Sequence, residues 1–278
     1  MKKVYTRLLC MFLVVILLLC IGGLTIVMAQ PSQMVKESTL TKVLEKKVLR
    51  VGVLTQDPPF GYLDKNFNNV GYDIDIAKIM AEALGAKLEL VETENVNRVP
   101  NIITGKVDII IGLFSNTVER SKSISFSKPY APVTQVLVGR KDNVDFKNWT
   151  DTAGLKIALG RGTSQDIFLT EKATKGTTIV RYETPTDCFL ALEQGKVDAV
   201  AETDSMVIFY LEDHPDWEIK GDPFMVDPAC MGVVLGDQVW LNWVNNFIEH
   251  MLHDGNFQKV WAKHFPSYLP WSSVWQTY

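Results

Sequence analysis

Apolar and polar positions along this chain switch repeatedly between the periods of strands and helices. Residues 48–54 are a short apolar run rich in valine and leucine, which predicts a strand. Asp57, Pro58 and Pro59 follow as a rigid turn, because proline has no amide hydrogen to extend a ladder. Residues 73–84 place Ile76, Ile79, Met80 and Ala83 on one helical face, and Gly85 ends that helix. A second strand is expected over 88–91, a short helix over 100–104 and a third strand over 107–113. A similar series follows, with strands at 156–159, 178–182 and 197–201. A Gly-rich turn at 160–164 opens one helix of this series, and another runs over 185–193. Strand–helix alternation implies two mostly parallel sheets flanked by helices, hence an α/β chain of two lobes. The tail over 239–263 is helical, and Trp240, Trp243, Phe247 and Trp261 pack it onto a lobe.

The first residues change the picture. Lys2, Lys3 and Arg7 precede an apolar run from Leu8 to Val27, and small residues stand before Gln30. This has the outline of a secretory signal peptide, or else of an uncleaved anchor. Residues 30–46 lead into the folded region as a linker. The net charge of the whole chain is −4, and losing those three basic residues makes it −7. An acidic exported protein is a poor partner for nucleic acid or anionic lipid. The four cysteines include Cys10 and Cys20 in the leader, so Cys188 and Cys230 remain as the pair for one disulfide.

The chemistry concentrates between Gly105 and Arg120. An apolar strand runs into Ser115, Asn116 and Thr117 and ends in Arg120. Hydroxyl donors and a planar guanidinium at the carboxyl end of a strand suit the carboxylate of a small molecule. The four histidines show no metal-ligand spacing, Gly160-x-Gly162 is too short for a dinucleotide fingerprint, and no serine has a patterned histidine partner. No cofactor or metal is expected.

Seven words carry a family resemblance: LRVGVLTQDPPFGYLD (49–64), GYDIDIAKIMAEALG (71–85), NRVPNIITGKVDIIIG (97–112), NTVERSKSISFSKPY (116–130), LGRGTS (159–164), ALEQGKVDAV (191–200) and VNNFIEHMLHDGNFQKVWAKHF (244–265). In this order and spacing the chain resembles the extracytoplasmic solute-binding proteins of ABC importers, family 3, the polar amino acid type. The words at 97–100 and 116–120 look most like the glutamate/aspartate-binding branch. The resemblance implies a two-lobed periplasmic-binding-protein-like fold of type II. Lobe 1 would span 47–136 and 234–278, and the inserted lobe 2 would span 137–233. The crossings would lie near 133–139 and 231–236, and a hinge would close the cleft on ligand. It also implies a monomer that hands an amino acid or related carboxylate to a membrane permease outside the cytoplasm.

Carried over by position, Arg120 resembles the clamp for the ligand α-carboxylate, with Ser115 beside it and Leu113 lending its carbonyl. Ser164 or Thr163 resembles the donor from the second lobe, at a helix N-terminus. Phe60 and Phe114 are either walls over the ligand or core. Arg98 either meets a distal ligand carboxylate or braces Glu94 or Asp108. Two departures stand out. The position that usually receives the ligand ammonium is Thr203, with Glu202 and Asp204 pointing differently from the strand end, and the usual stacking aromatic is Asp57. Asp57 or Asp204 is therefore expected to supply the missing anion. The alternatives to a binding protein are a cyclohexadienyl or arogenate dehydratase-like lyase, known in this fold, and a ligand-sensing subunit.

Overall fold

The computed structural model describes residues 33–142 and 146–267. The leader, with Cys10 and Cys20, lies outside the described residues. Two sheets organise the rest. The first contains β1 (Val48–Val53), β5 (Lys87–Glu92), β6 (Ile109–Ser115), β7 (Ile124–Ala131) and β14 (Ala229–Val234), in the order β5-β1-β6-β14-β7. β5, β1 and β6 run parallel, whereas β14 is antiparallel to both of its neighbours. The second contains β8 (Thr134–Arg140), β9 (Lys156–Gly160), β10 (Thr178–Tyr182), β11 (Ala199–Thr203) and β12 (Trp217–Ile219), in the order β10-β9-β11-β8-β12, and β13 (Met225–Val226) also pairs with β8. A small sheet of β2 (Gln56–Asp57), β3 (Gly61–Leu63) and β4 (Asn69–Val70) projects from the first lobe.

The segment 30–46, read as a linker, is corrected here: Gln33–Glu37 is helical, and α1 (Thr39–Lys46) is a packed helix. Val43 is buried, and the Ser38 side chain caps the first turn by accepting from Leu40 N. The remaining helices are α2 (Tyr72–Ala83), α3 (Arg98–Ile103), α4 (Ser164–Lys172), α5 (Pro185–Glu193), α6 (Asp204–Leu211), α7 (Gln238–His253) and α8 (Asn256–His264). The tail is thus two helices, broken at Gly255, which adopts φ 67. On α2, Ile76 and Met80 are buried as the periodicity requires, but Ala83 is exposed and Leu84 takes the inward position. Trp240 and Trp261 are wholly buried, and the Trp240 indole donates to Asp108 O at 3.0 Å.

The chain leaves the first sheet after Ala131 and enters the second at Thr134; it returns between Val226 and Ala229. The expected crossings at 133–139 and 231–236 lie instead almost wholly inside β8 and β14. The reason is that these apolar runs pair over nearly their full length within one sheet each, leaving only Pro132-Val133 and Asp227-Pro228 to span the gap. The anticipated disulfide is also absent: Cys188 on α5 and Cys230 on β14 are both free and buried. They belong to helix and strand of different lobes, and burial raises both thiol pKa values, that of Cys230 to about 12.

Asp237 ties the two ends of the first lobe together. Its carboxylate accepts from Ser38 Oγ at 2.7 Å, Thr39 N at 2.6 Å and Trp240 N at 3.0 Å, serving the first turns of α1 and α7 at once. Asp237→Ala is expected to cost about 2 kcal/mol, read as a lowered urea midpoint with an unchanged slope. An unmoved midpoint would show that neither cap matters.

Candidate functional site

The carboxyl ends of the central strands of both sheets face each other across the two crossings. There Asp57, Arg98, Leu113, Ser115, Thr163, Ser164, Glu202, Thr203 and Asp227 line one cavity with Asn95, Gln135 and Gln165. Its volume is about 20 Å³, room for about one water sphere. A wider cavity of about 320 Å³ lies beside it, and Asp57 and Asn95 line both.

Asp227 is the hub. Its Oδ2 accepts from Ser115 Oγ at 2.7 Å, from Gln135 Nε2 at 2.9 Å and from Ser164 Oγ. Ser115 ends β6 in the first lobe and Ser164 opens α4 in the second, so one carboxylate oxygen holds both lobes. The N-terminal turn of α4 also favours negative charge. Thr163 serves a local role: its hydroxyl donates to Gly160 O at 2.7 Å and accepts from Asp166 N, capping α4.

Two arginines stand behind this hub. Arg98 is buried; its Nη1 donates to Gly112 O at 3.0 Å and Leu113 O at 2.9 Å, and its Nε to Asn95 O at 3.2 Å. It braces backbone carbonyls rather than Glu94 or Asp108. Those carboxylates have other partners, Asn97 and Arg50. Arg120 spans the cleft, donating from Nη1 to Ser115 O and from Nη2 to Gly162 O, each at 2.8 Å. Gly162 (φ 71) approaches so closely that an added Cβ would meet Val96 Cγ1 at 3.0 Å. Both guanidiniums stack on Phe114, at 4.6 and 4.9 Å from its centroid. Burial, and then Arg120, hold the Arg98 pKa down at about 9, while burial holds Arg120 at about 10. Both are therefore cationic at neutral pH.

Leu113 sits at φ 41, a left-handed backbone that a branched side chain rarely adopts. It is braced from both sides, since its carbonyl takes Arg98 and its amide donates to Tyr130 Oη at 3.3 Å. Tyr130 Oη in turn donates to the buried Asp73 at 2.7 Å. Burial raises the Asp73 carboxyl to about 7.

The second lobe contributes acceptors. Glu202 is buried on β11; its Oε1 accepts from Thr203 N at 2.8 Å and Gln165 Nε2 at 3.2 Å, while its Oε2 has no partner. Thr203 Oγ1 and Gln135 Oε1 are likewise buried without partners. Burial raises Glu202 to about 8 and Asp57 to about 7, the latter opposed by the charge of Arg98.

Several expectations change accordingly. Asp204 does not line the cavity: its carboxylate accepts from Thr134 N at 3.3 Å and Thr134 Oγ1 at 2.7 Å, pinning the first crossing. The start of α6 turns it there. Glu202, one residue before Thr203, lines the cavity instead, although simple strand alternation pointed it elsewhere. Phe60 is core, with its centroid 5.0 Å from Phe265 and 5.9 Å from Tyr72. Phe114 is a platform beneath the arginines, and Arg120 itself does not reach the cavity wall. Asp227 and Gln135 were not anticipated. For Asp227 the only local signal is an Asp-Pro step between two short strands, and its partner Ser115 is 112 positions away. For Glu202 the signal was a charge inside an otherwise apolar, fully buried strand, which demands an explanation.

Among the described residues, no group of three or more His, Cys, Asp or Glu is arranged to hold a metal ion, and no helix is long and apolar enough to cross a membrane. Comparison with known proteins gives the architecture a family. The chain is 27% identical over 224 residues to the ABC transporter arginine-binding protein 1 of Escherichia coli, covering 78% of this chain and 90% of that protein. It is 26% identical over 268 residues to the ABC transporter glutamine-binding protein GlnH of Bacillus subtilis, covering 95% of this chain and 97% of that one. The solute receptor for L-cysteine of Neisseria gonorrhoeae superposes with a TM-score of 0.77 at 32% identity, over 82% of this chain and 93% of the receptor. The fold is the two-lobed type II architecture of periplasmic binding proteins. The bacterial extracellular solute-binding proteins, family 3, match residues 49–267, and this chain belongs to that family.

Proposed function

We propose that the protein captures a small amino acid outside the cytoplasm and delivers it to the permease of an ABC importer. The observation that carries this is the polarity of the cleft. Its first-lobe end presents Arg98 and Ser115 with Ser164 opposite, while its other end presents Asp57, Glu202 and Thr203. Donors at one end and acceptors at the other complement a zwitterion. The arginine- and glutamine-binding relatives support an amino acid as ligand, and the basic, apolar leader supports export.

Capture works by population shift. A ligand held by both lobes gains its full contacts only when they are together, so it draws the hinge toward closure. Micromolar affinity corresponds to about −8 kcal/mol, which one charge-assisted contact at each end and several neutral hydrogen bonds supply. A thermal-shift panel of amino acids, dicarboxylates and amines tests the reading: at least one amino acid is expected to raise the melting temperature by mass action. Prephenate and arogenate are expected to be recovered unchanged. A blank amino acid panel, or turnover of either compound, would replace this reading with the sensor or the lyase.

Arg120 acts on the same equilibrium without lining the cavity, because it joins Ser115 O to Gly162 O across the cleft. Arg120→Ala is expected to weaken the best amino acid about tenfold or more by calorimetry. Unaltered affinity would remove Arg120 from the closing machinery.

The buried carboxyls also set the pH response of the ligand-free protein. Asp57 and Asp73 at about 7 and Glu202 at about 8 stand above the unfolded carboxyl range of about 4. The folded state therefore keeps protons that the unfolded chain has released. Their contribution to stability is complete below about pH 4 and fades as pH rises through 7 and 8. Asp75, depressed to about 2 mainly by Lys263 and His264 against the cost of burial, acts with the opposite sign only at lower pH. The melting temperature is expected to fall between about pH 5 and 8.5, and Glu202→Gln should flatten the slope. A melting temperature that rises over that interval would contradict the assignment.

A further inference from the structure

The cleft carries more negative than positive charge, and its hydrogen-bonding capacity is unevenly spent. The hydroxyls of Ser115 and Ser164 and the amide of Gln135 all donate to Asp227. The printed bonds of both arginines go to backbone carbonyls. What remains without a partner in the cavity wall is acceptor oxygen: Glu202 Oε2, Thr203 Oγ1 and Gln135 Oε1, on residues only 3%, 4% and 2% exposed. Buried acceptors without partners are costly, so a cavity lined by several of them is a place for a donor-rich group. The carboxyls of Asp57, Glu202 and Asp227 outnumber the guanidiniums of Arg98 and Arg120 by one.

The wider cavity repeats this bias. It shares Asp57 and Asn95 with the smaller one, and it adds Glu92, Glu94 and Glu183 against Lys106. Arg161 neutralises Glu183 at 2.8 Å, and the Glu92 and Glu94 carboxylates accept only neutral donors, Thr55 Oγ1 and Asn97 Nδ2. At about 320 Å³ this chamber is of side-chain size, whereas the smaller one must widen by lobe motion to admit a head group.

We propose that the site selects a cationic amino acid, with its positive side chain running past Asp57 and Asn95 between the two chambers and its donors meeting the free acceptors of Glu202, Thr203 and Gln135. This rests on the amino acid reading above and narrows it. A ligand of net charge +1 balances the surplus carboxylate, a neutral amino acid leaves it, and an acidic one adds to it; mispaired charge is where specificity arises. The leaning toward a glutamate/aspartate ligand that the sequence words at 97–100 and 116–120 suggested is thereby reversed. Asp227 is the reason, because it already occupies the hydroxyl donors that an additional ligand carboxylate would require.

The test is a calorimetric series on the purified protein with L-arginine, L-lysine, L-citrulline, L-glutamine and L-glutamate. Citrulline matches arginine in length and shape but is neutral. Arginine or lysine is expected to bind about tenfold or more tighter than citrulline and glutamine, with glutamate weakest. Glu202→Gln and Asp57→Asn should each shrink the ratio of arginine to citrulline affinity, and a variant that fails to fold leaves the wild-type series decisive. Citrulline, glutamine or glutamate binding as tightly as arginine would overturn the inference while leaving an amino acid-binding protein in place. Binding by none of the five overturns the inference, and a blank wider panel alongside it overturns the amino acid reading too.

Discussion

The Asp227 carboxylate, seated where the chain crosses back between the lobes, constrains most of what surrounds it. A buried carboxylate is tolerable only with donors around it, and these come from both lobes: Ser115 from β6, Ser164 from α4 and Gln135 from β8. Its charge also lets two arginines share the face of one phenylalanine, since each guanidinium feels Asp227 as well as the other's repulsion. With Arg98 buried against Gly112 O and Leu113 O, the backbone of Leu113 is held at a strained φ directly beside the cavity. A change at Asp227 would thus be felt through the hydroxyls, the arginines and the crossing itself.

The acceptor side is built differently. Glu202, Thr203 and Asp204 are consecutive, yet they serve three purposes. Glu202 and Thr203 turn oxygen into the cavity, while Asp204, starting α6, reaches back to Thr134 at the first crossing. Each crossing therefore has its own aspartate, Asp204 at the first and Asp227 at the second. Behind the first lobe, the chain from Tyr72 Oη to Tyr130 O, and from Tyr130 Oη to Asp73, stiffens the floor on which Leu113 rests.

Much of this architecture was legible from the chain alone. The apolar runs at 178–182 and 185–193 give β10 and α5 to the residue, because alternation of period and a helix-opening Thr-Pro step are local signals. The two lobes follow from two strand–helix series. The hydroxyl-rich turn after β6 marked Ser115, and the Gly-rich turn marked Ser164, because strand ends and helix starts place such groups predictably. The helix α1 escaped notice because its stability comes from Asp237, nearly two hundred positions away, rather than from its own periodicity.

Period, turn chemistry and a basic, apolar leader are properties of neighbouring residues, and the sequence by itself determined them: an exported, acidic α/β chain of two lobes with polar groups at its strand ends. Only the tertiary structure decided which of those groups meet. It left Cys188 and Cys230 as separate buried thiols, sent Phe60 into the core and Phe114 beneath two arginines, and placed Asp227 and Glu202 in the cleft. The physical reason is that donors and acceptors are satisfied in space, across lobes that come together only after each has folded, and no spacing along the chain encodes a partner 112 residues away.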